Sequence, residues 1–128
     1  MKRPSTDEQK RGHMRLACGD PCDVFFGGFR RKGTVWNVSV VGVYIVLPEP
    51  LPPLDSRIVM TFSLPGEQTP VSCEGRIRWQ NEPSIFAGCG RTKPDLPPGC
   101  GVEFLELDTR DRERIEARVR VGARHTGQ

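Results

Sequence analysis

The chain has 128 residues, 36% hydrophobic and 27% charged, enough for one domain with a modest core and too polar for a membrane protein. No apolar run approaches the roughly 20 residues of a membrane span, and the polar N-terminus "MKRPSTDEQKRGHM" lacks the apolar core of a secretory signal, so a cytosolic (cytoplasmic) protein is expected. Net charge is +3, yet residues 1–15 carry five Lys/Arg against two Asp/Glu, residues 109–128 six against three, and the stretch between them eight against eleven. That mildly acidic middle argues against general nucleic-acid binding, because phosphate neutralisation dominates such affinity.

In chain order, residues 1–9 read as a disordered polar tail. "KRGHMR" (Lys10–Arg15) is a basic segment with no apolar face, ahead of the first strand. "CDVFFGGF" and "KGTVWNV" read as strands joined near Arg30 to Lys32, and "GVYIVL" as a continuous apolar strand ended by "PEPLPPLD". In "RIVMTFSL", Ile58, Met60, Phe62 and Leu64 fall on one face. In "VSCEGRIRWQ", Val71, Cys73, Gly75, Ile77 and Trp79 share one face, and Ser72, Glu74, Arg76, Arg78 and Gln80 the other. Period two over such lengths predicts half-buried antiparallel strands, with "SLPGEQTP" as their hairpin connection. The proline- and glycine-rich stretch 81–99 reads as a mobile excursion, and "CGVEFLEL" as the last strand. About six short strands predict a small barrel or sandwich.

One helix follows. Asp108 suits the N-cap and Asp111 the third helical position. Arg112–Glu116 and Glu116–Arg120 are spaced as i,i+4 ion pairs, and Ile115, Val119 and Val121 form a narrow apolar stripe. Such a helix should lie against the rim of the domain. The domain is expected over 10–121, with 122–128 as a second disordered tail.

The five cysteines, Cys18, Cys22, Cys73, Cys89 and Cys100, are odd in number and accompany no secretion signal, which argues against a disulfide framework. A zinc site built on His13, Cys18 and Cys22 lacks the second close pair of ligands that zinc sites show. Buried, chemically quiet thiols are the expectation, with no metal and no cofactor. His13 and His125 lie in polar segments, and no histidine–carboxylate or cysteine–histidine arrangement stands at a useful spacing. The chain therefore reads as a binding protein and not an enzyme.

Asn37 and Ser39 in "NVSVVG" are two residues apart, so on a strand both project from one face, and Gly42 stands where the chain turns or a backbone approaches closely. Each of these residues is also common in turns. Arg15 and Asn37 are separated by one strand out and one strand back, a path that can bring the basic segment and the polar spot face to face.

With Arg11-x-x-x-Arg15 followed by Asn37-x-Ser39-x-x-Gly42, the chain resembles the PilZ domain family. The resemblance continues through "GRIRW" (Gly75–Trp79) and "PPGCGVEFLELDTRDRERIEARV" (Pro97–Val119), and covers roughly residues 10–120. It implies a six-stranded antiparallel β-barrel with a C-terminal α-helix, and binding of the bacterial second messenger cyclic di-GMP. The site residues it implies are Arg11, Arg15, Asn37, Ser39 and Gly42. Lys10 is an auxiliary, because in this family a cation there accompanies a stacked ligand dimer. Arginine suits such a ligand, since its planar fork matches both phosphate oxygens and guanine O6 and N7. Asn37 and Ser39 would read guanine edges. The expected mechanism is ordering of the N-terminal segment by the ligand, read by a protein partner. One rival is a PilZ-type interaction module for motility or pilus assembly that binds no nucleotide and works through 81–99. Another is a small nucleic-acid-binding barrel, disfavoured because aromatic content is 7% and Trp36 and Trp79 read as core strand residues.

Overall fold

Alternating apolar residues become strands here because one face of each has an interior to enter. The computed structural model describes residues 14–81 and 96–126, with side chains as far as Val121. It contains β1 (Leu16–Ala17), β2 (Pro21–Phe26), β3 (Phe29–Val38), β4 (Gly42–Val46), β5 (Arg57–Phe62), β6 (Val71–Asn81), β7 (Gly99–Glu106) and the helix α1 (Thr109–Thr126). All pairings are antiparallel. The order β3-β2-β5-β6-β7-β4 closes through a β3–β4 pairing, which gives the expected six-stranded barrel. The short β1 lies along β3, with Leu16 opposite Val38 and Ala17 opposite Asn37, beyond the point at Thr34 where the β2–β3 ladder ends.

The interior is filled by the predicted faces. Ile58, Met60, Phe62 and Leu64 are buried, as are Val24, Val35, Ile45, Ile77, Cys100 and Val102. Cys22, Cys73 and Cys100 are buried free thiols, and Cys18 is half-buried. Burial pushes Cys22, Cys73 and Cys100 up to about 12 and Cys18 to about 11, so all four stay protonated and unreactive near neutrality. Cys89 lies outside the described residues.

The β2–β3 connection departs from expectation. Arg30, Arg31 and Lys32 belong to β3, and the chain reverses at Gly27–Gly28, both at positive φ (63° and 82°), with Phe26 opposite Phe29. Two consecutive left-handed residues are what a tight two-residue hairpin requires, and the glycine pair supplies them.

Asp108 caps α1 as predicted: its backbone carbonyl accepts from the Arg112 N–H at 2.8 Å, and its carboxylate from the Arg110 N–H at 3.4 Å. Ile115 and Val119 join the barrel core, whereas Val121 is 45% exposed and takes no part. No ion pair within 4 Å joins Arg112 to Glu116 or Glu116 to Arg120. These three side chains are exposed, where a pair gains little over hydration. The charges that do engage face inward. Arg114 donates to Asp111 at 2.7 Å and to Glu67 of the β5–β6 connection at 2.8 Å, and Arg118 donates to Glu67 at 3.1 Å. The helix continues to Thr126, past residue 121 where the sequence places a tail. Of the expected excursion, 82–95 lies outside the described residues, while Asn81 ends β6 and Gly99 begins β7.

Candidate ligand-binding site on the barrel wall

Two irregularities in the strands make the site. Along β3, Val35 pairs with Ile45, but the next pair is Asn37 with Tyr44, so Trp36 is an extra residue. Strict alternation would carry Val38 outward. The bulge returns Val38 to the core and leaves Trp36 (39% exposed) and Asn37 outside. A second bulge lies between Ile77 and Trp79 of β6. It keeps Ile77 inside and turns both Arg78 and Trp79 outward, Trp79 being 38% exposed. The expectation of core tryptophans is therefore wrong for both: Trp36 alternates outward from buried Val35, and the β6 bulge turns Trp79 off the Ile77 face.

Across the wall, Tyr44 pairs with Gly101, and Gly101 with Trp79. A Cβ on Gly101 would sit 2.1 Å from the Trp79 indole nitrogen. The bare strand lets the indole lie across it and stack on Tyr44, with ring centroids 5.2 Å apart and planes 23° from parallel. Burial pushes the Tyr44 hydroxyl up, so it remains protonated and donates to the Pro97 carbonyl. Asn81, itself buried, donates to the Tyr44 hydroxyl at 3.3 Å and to the Leu96 carbonyl at 3.2 Å.

In the cleft these rings line, Arg15 donates from Nη1 to Oδ1 of Asn37 at 2.7 Å. The chain path therefore does bring Arg15, the last residue of the basic segment, to the polar spot. The guanidinium remains exposed, yet the wall beside it lowers its pKa by partial desolvation; an arginine keeps its charge regardless. Arg15, Asn37, Gly42, Tyr44, Trp79 and Glu103 are among the residues lining an open cleft of about 380 Å³. Arg78 stands at the same cleft, held by Glu103 at 3.4 Å and Asp55 at 3.6 Å.

The remaining expected residues take different places. Ser39 is fully buried; its hydroxyl accepts from the Val41 N–H at 3.2 Å, and its own N–H donates to the Gly42 carbonyl at 2.8 Å. It holds the β3–β4 turn and does not face the cleft. Gly42 lines the cleft, and a Cβ there would lie 2.3 Å from the Val102 carbonyl oxygen, so only glycine lets β4 approach β7 this closely. Lys10 and Arg11 lie outside the described residues. Sequence reasoning missed Tyr44, Arg78 and Glu103, and misplaced Trp79. The available signal was the row of one small and two aromatic residues that closure of the barrel aligns, and strand pairing is needed to see it.

Closed barrel, C-terminal helix and a cleft on the outer wall place the chain among small antiparallel β-barrel modules. More narrowly, it belongs to the PilZ domain family, whose model matches residues 9–120. Proteins of this family are binding and regulatory modules. The chain shares its fold with the Bacillus subtilis inhibitor of motility MotI/DgrA, at 16% identity and a TM-score of 0.67, over 96% of this chain and 56% of that one. It shares it also with the PilZ domain of YcgR from Escherichia coli, solved with c-di-GMP, at 13% identity and a TM-score of 0.67, over 92% of this chain and 95% of that one. Comparison with curated proteins gave no match. Among the described residues no helix is long and apolar enough to cross a membrane.

Proposed function

We propose that the chain is a receptor for cyclic di-GMP, with no catalytic step of its own. The observation that carries this reading is the 2.7 Å contact between Arg15 and Asn37 in a cleft of about 380 Å³ that the stacked Tyr44 and Trp79 also line. A cyclic dinucleotide offers anionic phosphates and flat purines, and the cleft offers a fixed cation, an amide and an aromatic surface. The Arg15 fork suits a phosphate or the O6/N7 edge of guanine. The Asn37 amide nitrogen has no protein partner among the described residues and is available to an acceptor on the ligand. Ser39 and Gly42 act by position, fixing the turn and the strand approach that present Asn37. Arg11 would add a second fork and Lys10 further charge for a stacked ligand dimer. Capture of this segment by the ligand would create the surface that a cytoplasmic protein partner reads. The fold shared with an inhibitor of motility makes a motility component the first class of partner to test.

Calorimetric titration with cyclic di-GMP decides the matter. Saturable binding at micromolar ligand is expected, with Arg15→Ala weaker by at least about tenfold, the worth of a charge-assisted hydrogen bond. No heat from the wild type would overturn the receptor reading and leave the nucleotide-free interaction module, to be sought through the 81–99 stretch. Undiminished binding by Arg15→Ala would overturn the site.

A further inference from the structure

The Arg15–Asn37 contact has a cavity on each side. Beyond the cleft over Tyr44 and Trp79 lies a second cavity of about 360 Å³, lined by Arg15, Ala17, Cys18, Trp36 and Asn37. Among the described residues, the two cavities share only Arg15 and Asn37. Each has one exposed indole, Trp79 in the first and Trp36 in the second, at 38% and 39% exposure. The β6 bulge turns Trp79 outward, whereas Trp36 alternates outward from buried Val35 and the β3 bulge sets Asn37 beside it on the outer face.

Trp36 lies outside the core, and its backbone carbonyl supports β1 by accepting the Cys18 N–H at 2.9 Å. An indole on the outer face that makes no ring stack among the described residues is a good platform for a flat ring. Among the described residues that line it, the second cavity has no acidic side chain, and its cation is the Arg15 guanidinium it shares with the first.

We infer that the Trp36 cavity is a second purine subsite, in which a guanine stacks on the Trp36 indole while Arg15 and Asn37 stand between the two bases. This rests on the cyclic di-GMP reading and adds to it a residue that neither arginine motif nor polar motif includes. The base comes either from the far half of one cyclic dinucleotide or from a second molecule, and both supply the same chemistry.

The test uses the full chain and cyclic di-GMP itself. Intermolecular NOEs are expected from guanine H8 to the ring protons of Trp36 as well as of Trp79, with the Trp36 signals assigned by their loss in Trp36→Phe. Trp36→Ala should bind about fivefold or more weakly and Trp36→Phe within about threefold of the wild type, since base–aromatic stacking tolerates exchange of one ring for another. One ligand per chain by calorimetry assigns the second base to the same molecule, and two ligands assign it to another; both support the subsite. NOEs to Trp79 alone, with Trp36→Ala binding as tightly as the wild type, overturn it and leave the receptor reading intact. No binding by the wild type overturns the receptor reading, and the subsite with it.

Discussion

Gly101 shows how much of the cleft rests on a missing atom. It pairs with both Tyr44 and Trp79, and a methyl group there would enter the space the indole occupies. Gly101→Ala is expected to push Trp79 off Tyr44, at a cost of about 1–3 kcal/mol typical of overpacking. Thermal melting and ligand titration should both register the change. An unaltered melt with unaltered affinity would mean that the stack does not shape the site. Glu103 works in the opposite sense. With Asp55 it neutralises Arg78, the second described cation of the cleft. The pair is exposed, so its worth is modest, and Glu103→Gln should free Arg78 for an anionic ligand and tighten binding by about two- to threefold. Weaker binding by that variant would indicate that Glu103 itself contacts the ligand. Arg15, Asn37 and Gly42, which line the cleft, could be picked from the sequence because residue type and local spacing single them out. Trp79 could not, because its exposure depends on register against a glycine more than twenty positions along the chain.

The same division holds between elements. Strands whose alternation runs unbroken, such as β5, declare their buried face in the sequence. Strands with bulges do not, since a bulge is set by the partner strand, and here bulged β3 and β6 carry Trp36 and Trp79, one indole for each cavity. The helix was legible in its cap and its Ile115–Val119 stripe but not in its charge pairing. Glu67, far away in sequence, takes Arg114 and Arg118 together. Desolvation pushes the Glu67 carboxyl up, but hydrogen bonds from Arg114 and Arg118 outweigh it and hold the pKa below its ordinary 4.5. Because the folded value is the lower one, Glu67 adds stability that is fully present above the unfolded value and is lost as pH falls through the folded one. Glu67→Gln should destabilise the protein by about 1–2 kcal/mol at neutral pH, in the range of charged hydrogen bonds, and the deficit should shrink below about pH 4.5. Urea melts at neutral and acid pH check this. A deficit independent of pH would show that shape and not charge joins the β5–β6 connection to the helix.

For the molecule as a whole, the separation of charge now has a spatial meaning. The cations at the start of the chain lead into Arg15, which stands at the Asn37 contact beside an otherwise mildly acidic domain. An extended chain spans at most about 3.5 Å per residue, so Arg11 can reach no more than about 14 Å from Arg15, and Lys10 about 18 Å. At full stretch that is about twice the screening length of about 8 Å at physiological salt, so Arg11 and Lys10 must fold back toward Arg15 to act on the same ligand. A single ligand brings two phosphates, and a stacked pair brings four. Arg11 and Arg15 can each fork to one phosphate, whereas gathering four in one place calls for the further charge that Lys10 supplies. Two cavities flanking one arginine give such a pair, or one extended ligand, a place for two bases. If the dimer forms, the wild type should take up two cyclic di-GMP per chain and Lys10→Ala one, with Arg11→Ala weakening binding in either case. The melting shift should follow the stoichiometry, because stabilisation by ligand grows with the number of sites filled, by about 2.7 kcal/mol for each site at a hundredfold excess over Kd. A wild-type stoichiometry of one, unchanged in Lys10→Ala, would rule out the stacked dimer and leave a single ligand bridging Trp36 and Trp79.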